Sequence, residues 1–225
     1  MRDFFGWCVK QGWLRASPAD GIEKVGRANK GKLQLRGAEA RALLAHAVRR
    51  AAEGDDGGLA VAVILSTGAC AGELLQRRVR DVDDVGGRGL LLWIDEQLGA
   101  TVKRPSRRRT LWVGEPVATV LRAHVKGRAP LAWLFPGGSS GGARGKTWLR
   151  KVTRRLCDEA EVQVVCPHGL RGTWASLGAA EGAARRDLQA DLGHGDLRSQ
   201  EAYVDATAAH EGTARRMLRL VVGGE

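Results

Sequence analysis

The chain has 225 residues and a mass of 24.2 kDa, enough for one good-sized domain plus an appendage. Hydrophobic residues make up 44% and charged residues 27% of it, which is typical of a globular protein and argues against disorder. The formal charge of +11 and the pI near 10.2 favour a polyanionic partner, with nucleic acid ahead of a membrane.

The cysteines argue against a structural metal. Cys8, Cys70, Cys157 and Cys166 form no CxxC pair and no zinc-type spacing with histidine. Dispersed cysteines of this kind are typical of small buried side chains in a reducing cytosol. Apolar runs such as Leu59–Leu65 are too short to span a bilayer, so we expect an intracellular protein with no membrane contact.

The N-terminal segment is rich in large aromatic residues. Phe4, Phe5, Trp7 and Trp13 predict a helix over Met1–Trp13, which is too short to bury these side chains by itself and must dock on something. A Ser-Pro-Ala-Asp-Gly stretch breaks it at residues 17–21. We therefore divide the chain into residues 1–21, a basic linker at 22–36 and a main domain at 37–225.

The main domain is predicted to be mainly helical. Its clearest helix covers Gly37–Glu53, with an inner face formed by Ala38, Ala42, Leu43, Leu44 and Val48. Leu59–Leu65 is apolar throughout and is a buried helix or strand, with a helix favoured because Thr67-Gly68 and a further helix follow. Further helices are predicted at Gly72–Val79, Glu115–Lys126, Thr147–Ala160, Pro167–Ala180, Ala183–Leu192, Leu197–Thr207 and Glu211–Val221.

Two short apolar runs interrupt the helices. Leu90–Ile94 and Arg109–Val113 predict strands, joined by a hairpin-like connection at residues 99–108 that carries several cations. The fold class is therefore mainly α with a small antiparallel β-sheet (α+β).

The residues that suggest chemistry lie near the C-terminus. His168 and Arg171 are three positions apart, so on one helix an imidazole and a guanidinium face the same side, where both can reach one phosphate. His194 follows Gly193 at a predicted helix end, and Tyr203, the chain's only tyrosine, lies on the next predicted helix. A lone histidine or tyrosine is usually structural, but this combination favours metal-independent phosphoryl transfer on DNA.

The same residues resemble the signature of the tyrosine recombinases, the phage-integrase and Xer-like family. The resemblance includes His168–Thr173, Leu192–His194 and Tyr203, and extends back to Ser66–Leu75, which is similar to the family's first-arginine box. Val102–Val113 resembles its β-hairpin, and Phe4–Pro18 resembles the last helix of its core-binding domain.

The resemblance implies a role for each matched residue. Tyr203 would be the nucleophile that forms a 3′-phosphotyrosine, Arg171 the phosphate clamp and His168 the general base. His194 would bond a non-bridging oxygen and Lys103 would protonate the leaving 5′ oxygen. Glu73 would orient the catalytic side chains without itself contacting the phosphate. Because the phosphotyrosine retains the bond energy, the reaction requires no cofactor and no metal.

Two departures from the family pattern bear on activity: the residue at position 70 and a truncated core-binding domain. Cys70 stands where the first catalytic arginine is expected, and Arg77 nearby also differs from the pattern, since a leucine is usual there. Losing one such donor costs about 3–4 kcal/mol of transition-state stabilisation. Only the end of a core-binding domain is matched by residues 1–21, so we expect weakened specific affinity while salt-sensitive, non-specific binding persists.

The predicted partner is double-stranded DNA, with a tetramer on DNA and a monomer in isolation, in the cytoplasm at the nucleoid. Candidate DNA contacts are the basic residues near the hairpin and the Thr147–Ala160 helix: Arg104, Arg107, Arg108, Arg109, Lys126, Arg144, Lys146 and Arg150. Two alternatives to an active recombinase stay open. One is a catalytically inactive DNA-binding relative, and the other is an enzyme like the type IB topoisomerases, which shares this chemistry.

Overall fold

The computed structural model describes residues 2–22, 32–95, 108–138 and 141–193. The chain divides into two compact units, Met1–Gly31 and Lys32–Glu225. In the first unit, helix α1 covers Arg2–Lys10, and Trp7 and Trp13 meet edge to face with their ring centroids 4.8 Å apart. Both indole rings and the Phe4 ring remain exposed.

The second unit contains the other helices and strands of the described residues. They are α2 (Gly37–Ala52), α3 (Asp56–Thr67), α4 (Ala71–Leu74), β1 (Val82–Asp84), β2 (Leu90–Ile94), β3 (Arg109–Val113), α5 (Val117–Val125), α6 (Lys146–Glu159), α7 (Pro167–Ala180) and α8 (Arg185–Leu192). A mainly helical fold with one small antiparallel sheet is thus confirmed.

Helix α3 forms the centre of the core. Every residue from Gly57 to Thr67 is buried, and α2, α5, α6 and α7 all pack against this helix. Such all-round burial explains why its sequence is apolar throughout instead of alternating at a helical period. Gly58 allows the close approach of α2, because a Cβ there would lie 2.7 Å from the Ala47 carbonyl oxygen.

The sheet is antiparallel with the strand order β1-β2-β3. Leu90 pairs with Val113 and Ile94 with Arg109, so both predicted strands are confirmed with their bounds. Strand β1 was not predicted, since its Val-Asp-Asp sequence contains a single apolar residue.

Two details of the helix predictions are wrong. The predicted helix Gly72–Val79 is a single turn, α4, followed by a 3₁₀ turn at Val79–Asp81. The backbone between them pairs with a distant segment: the Leu134 amide donates to the Arg77 carbonyl at 2.8 Å, and the Val79 amide donates to Ala132 at 3.0 Å. These bonds replace the i→i−4 bonds that a longer helix would need.

The inner face of α2 is also rotated from the predicted one. Ala38 and Ala42 are exposed, whereas Ala40 and Ala47 are buried together with the correctly predicted Leu43 and Leu44. Alanine is small enough for either face of a helix, so only the packing against α3 decides which alanines turn inward.

Residues 32–36, the last part of the predicted linker, belong to the second unit and pack along α7. Leu35 is buried, and its amide donates to the Thr173 hydroxyl at 2.9 Å. Gly169 makes room for this segment, because a Cβ there would lie 2.4 Å from the Leu33 carbonyl oxygen. The segment therefore fixes the outer side of the helix that carries His168 and Arg171.

None of the helices in these described ranges is both long and apolar enough to cross a bilayer.

Candidate active site

The site is built on the turn that ends α3. Gly68 adopts a left-handed conformation with φ of 68°, and its amide caps the helix by donating to the Ile64 carbonyl. A Cβ at Gly68 would lie 2.7 Å from the Trp174 ring, so glycine is required by both conformation and space. The turn directs the chain into Cys70, which precedes α4.

Arg171 joins this turn to the end of α8. Its side chain is buried, and Nη1 donates to the Gly68 carbonyl at 2.8 Å while Nη2 donates to the Leu192 carbonyl. These carbonyls come from segments 103 and 21 residues away along the chain. The arginine of the His168–Thr173 motif is therefore fixed between the Gly68 turn of the first-arginine box and Leu192, the first residue of the Leu-Gly-His motif.

His168 occupies the first turn of α7, after Pro167 and one turn before Arg171. It is exposed, in contrast to the buried Arg171. An exposed imidazole at this position is accessible to a ligand and to solvent protons, which is what a general base needs.

Cys70 lies at the position where the family pattern has an arginine. It is half-buried, and its amide donates to the Glu73 carboxylate at 3.3 Å. A cysteine side chain carries no positive charge and is at most a weak donor, so it cannot supply the forked, charged contact of a guanidinium to a phosphate.

Glu73 pairs with Arg109 inside the protein. The carboxylate lies 2.8 Å from Arg109 Nη2, and the two side chains are only 10% and 6% exposed. Arg109 Nε also donates to the Asp191 carbonyl at 2.7 Å. Arg109 was predicted to contact DNA, but its guanidinium is turned inward, where it links Glu73 to the end of α8.

Arg77 is a functional candidate that the sequence did not reveal. It is 1% exposed, and its guanidinium donates to the carbonyls of Glu73, Trp93 and Asp95. The sequence indicated only that Arg77 stands where the family pattern usually has a leucine. The sequence did contain one indication that Arg77 has a partner inside the protein: an acidic residue, Asp81, follows it by four positions. The Asp81 carboxylate lies 3.8 Å from Arg77 Nη1.

Of the other predicted DNA contacts, Lys126, Lys146 and Arg150 are exposed. Lys146 lies close to α4, because its Nζ would be 3.3 Å from a Cβ placed on Gly72. Arg108 forms an ion pair with Asp95 at 3.3 Å. Arg144 stacks on Trp148, with 4.8 Å from the guanidinium carbon to the ring centroid.

Five predicted site residues lie outside the described residues: Lys103, Arg104, Arg107, His194 and Tyr203. Arg109 adjoins the connection that carries the first three, and Leu192 and Gly193 directly precede His194. Within the described ranges, no group of three His, Cys, Asp or Glu side chains is arranged to hold a metal ion.

Comparison with known proteins gives a consistent result. The model of the phage integrase family matches residues 34–210. Tyrosine recombinase XerC of Mycobacterium sp. (strain KMS) is 30% identical over 220 residues, which cover 93% of this chain and 70% of that protein. Tyrosine recombinase XerD of Caulobacter vibrioides is 27% identical over 226 residues, covering 93% of this chain and 69% of that protein.

Solved structures share the fold at low sequence identity. The integrase of the Tn1549 transposon, solved with circular intermediate DNA, superposes with a TM-score of 0.66 at 18% identity, covering 87% of this chain and 69% of that one. The integrase of mycobacterium phage Brujita gives 0.63 at 17% identity, covering 98% and 73%. The match over residues 34–210, the XerC similarity and the position of Arg171 between the two motifs together show that this chain belongs to the phage integrase family of tyrosine recombinases.

Proposed function

We propose that this chain is the catalytic domain of a site-specific DNA recombinase whose cleavage step is slowed by Cys70. The observation that carries the proposal is the buried Arg171, held between the Gly68 turn and the end of α8. A guanidinium fixed by two carbonyls is pre-organised, so its side chain loses little conformational entropy when a phosphate binds.

The proposed chemistry is a transesterification. The Tyr203 hydroxyl oxygen attacks the phosphorus, its proton passes to His168, and the bond from phosphorus to the 5′ oxygen breaks. Lys103 gives a proton to the departing 5′ oxygen, while Arg171 and His194 bind the non-bridging oxygens. Rejoining reverses these steps, with a 5′-hydroxyl attacking the phosphotyrosine and tyrosine as the leaving group.

Double-stranded DNA is the proposed substrate, and its support is partly electrostatic. The net charge is +11, and Lys126, Lys146 and Arg150 are exposed in the second unit. XerH has been solved bound to a palindromic difH substrate after cleavage, with a TM-score of 0.61 to this chain. From the family resemblance, we also propose assembly as a tetramer on DNA, with a monomer in its absence.

A second candidate function is DNA binding without cleavage, and Cys70 favours it. The buried pair of Glu73 and Arg109 preserves the interior of the site, but the missing first arginine removes one charged donor. Removing such a donor lowers the rate by roughly 10²–10³-fold. A protein with this loss could still bind DNA through its cationic surface.

Covalent capture distinguishes these functions. The protein is incubated with a pool of nicked duplexes of randomised sequence. The nick makes the fragment that carries the released 5′-hydroxyl short, so this fragment diffuses away, rejoining is prevented and the covalent adduct is trapped. Adducts are isolated under denaturing conditions and their DNA is sequenced. We expect adducts from the wild-type chain, roughly 10²–10³-fold faster formation with Cys70→Arg, and none with the matched control Tyr203→Phe.

Three outcomes contradict the proposal. Adducts that persist in Tyr203→Phe exclude the assigned nucleophile. Salt-dependent DNA binding without adducts, in both the wild type and Cys70→Arg, supports the binding function. Relaxation of a supercoiled plasmid without sequence preference supports chemistry of the type IB topoisomerase kind.

A further inference from the structure

Lys146 is the first residue of helix α6, and its side chain crosses to helix α4. A Cβ placed on Gly72 would lie 2.9 Å from Lys146 Cε and 3.3 Å from Lys146 Nζ. Beyond α4 itself, no other atom of the described residues lies within 4 Å of that point. The end of the lysine side chain therefore rests on Gly72, in the space that the side chain of any other residue would fill.

This contact brings a positive charge close to Cys70. Gly72 follows Cys70 by two residues, and successive Cα atoms are about 3.8 Å apart, so Lys146 Nζ lies no more than about 12 Å from the Cys70 Cα. On the N-terminal side of Cys70, Arg171 Nη1 donates to the Gly68 carbonyl at 2.8 Å. Cys70 therefore lies along the chain between a residue that a guanidinium contacts and one that an ammonium contacts.

No acidic partner explains the position of Lys146. Within the described ranges its ammonium belongs to no ion pair, and the carboxylate of α4, that of Glu73, pairs with Arg109 at 2.8 Å. Helix α6 has no acidic residue in its first turn. A cation at the first position of a helix lies next to the positive end of the helix dipole, which is unfavourable, so the charge of Lys146 does not serve the stability of α6.

Packing on Gly72 does not require the charge either. The aliphatic part of a lysine can cover the surface of a neighbouring helix while its ammonium stays in water. Methionine is unbranched and of similar length, so it would cover Gly72 equally well. What lysine adds over methionine at this place is one positive charge, within reach of an anion bound at the turn that contains Cys70.

We propose that Lys146 is a phosphate-binding residue of the site and supplies the positive charge that Cys70 cannot. The proposal rests on the proposed function for the identity of the anion, a phosphate of duplex DNA that Arg171 also binds. An ammonium attracts a phosphate as a point charge, whereas a guanidinium also grips it with a planar fork. Lys146 therefore preserves part of the binding that an arginine at position 70 would give, and cleavage stays slower than with that arginine.

The Cys70 thiol can report the charge around it. Anionic sulfonatoethyl methanethiosulfonate and cationic trimethylammonioethyl methanethiosulfonate both react with the thiolate, so the ratio of their rates depends on the local potential and not on the amount of thiolate. The parent chain for this test carries Cys166→Ser, because Cys166 is the other cysteine that is not buried, whereas Cys8 and Cys157 are buried. Peptide mass spectrometry identifies Cys70 as the modified residue.

We expect Lys146→Met to lower the ratio of the anionic to the cationic rate by roughly three- to sixfold at about 10 mM salt, because the ammonium attracts one reagent and repels the other. Gly72→Ala should lower this ratio as well, since its Cβ would lie 2.9 Å from Lys146 Cε and must displace that flexible side chain. In about 1 M salt the differences should disappear, because the Debye length falls to about 3 Å.

The matched control is Lys151→Met, which removes the charge of another exposed lysine of α6, five residues further along. It should change the ratio of rates by less than about twofold, because its charge lies elsewhere on the helix. The same ratio in the parent chain, Lys146→Met and Gly72→Ala overturns the proposal. An equal fall of the ratio in Lys146→Met and Lys151→Met also overturns it, since the potential at Cys70 would then reflect only the net charge.

Duplex DNA tests whether this charge serves a phosphate. A short duplex of randomised sequence should protect Cys70 of the parent chain from uncharged methyl methanethiosulfonate. In Lys146→Met, more DNA should be needed for half-protection, and the salt dependence of that concentration should fall by about one phosphate contact. Absence of protection in the parent chain, or an unchanged half-protecting concentration in Lys146→Met, overturns the proposal.

Covalent capture then relates Lys146 to Cys70. Lys146→Met should slow adduct formation roughly tenfold or more in the chain with Cys70 and much less in Cys70→Arg, since a guanidinium then supplies the charge. Equal slowing in both chains overturns the proposal. If no chain forms adducts while the ratio of reagent rates and the protection by DNA still depend on Lys146, the proposed function fails and the phosphate contact stands.

Discussion

The glycine between His168 and Leu170 allows a sharp test of how α7 is held. Gly169→Ala places a methyl group 2.4 Å from the Leu33 carbonyl oxygen and 3.2 Å from Val165 Cβ. Real Cβ contacts essentially never fall below 3.0 Å, so the backbone of residues 32–36 must move away from the helix. That movement uncovers Leu35 and breaks its bond to Thr173.

The magnitude follows from these losses. Exposing a leucine costs about 1.5–3 kcal/mol and losing the hydrogen bond about 1 kcal/mol. Replacing glycine by alanine within a helix offsets part of this loss, because alanine stabilises the helix by about 1 kcal/mol. We expect Gly169→Ala to lower the free energy of unfolding by about 1.5–3 kcal/mol, which for a chain of 225 residues lowers Tm by roughly 3–12 °C.

Urea denaturation followed by circular dichroism measures this change. The matched control is Gly37→Ala at the start of α2, where a Cβ would meet its nearest atoms at 3.7 and 3.8 Å, which is ordinary van der Waals contact. It should be as stable as the wild type or slightly more stable. Equal stability of the two alanine variants would show that residues 32–36 do not press on α7 as described.

Two further predictions concern buried and exposed polar groups. Thr173→Val should destabilise the protein by about 1–3 kcal/mol, because the buried Leu35 amide loses its 2.9 Å acceptor, while Thr173→Ser should lose clearly less in the same urea titration. A valine variant as stable as the serine variant would contradict this. The hydrogen bond from Arg122 lowers the pKa of Asp84 from its ordinary 3.8, so its stabilisation is present above that value and lost as pH falls through the folded-state pKa. The stability difference between the wild type and Asp84→Asn should therefore disappear in acid, and a difference independent of pH would refute the assignment.

The sequence alone determined the elements whose signals are local. Strands Leu90–Ile94 and Arg109–Val113 and helix Pro167–Ala180 were predicted with their observed bounds, since each is an apolar or periodic run with a clear beginning and end. The family was also predicted from the sequence and is confirmed, because the motifs His168–Thr173, Leu192–His194 and Tyr203 resemble its signature.

Other features depended on contacts between distant segments. The helix predicted at Gly72–Val79 fails because residues 77–80 bond to residues 130–134, which no local pattern reveals. Likewise, Arg104, Arg107, Arg108 and Arg109 read as one cationic run, although Arg109 turns inward to Glu73 and Arg108 pairs with Asp95.

The difference between the two kinds of feature has one physical reason. Helix periodicity, strand alternation and turn glycines act over a few residues, so the chain alone specifies the elements and the motifs that they carry. The partner of a long, charged side chain is decided by which segments the fold brings within about 3 Å, and burial then makes that partner obligatory. The sequence therefore predicted the family and the helix that carries Arg171, and the tertiary structure decided which groups the buried side chains of Arg171, Arg77 and Arg109 bond.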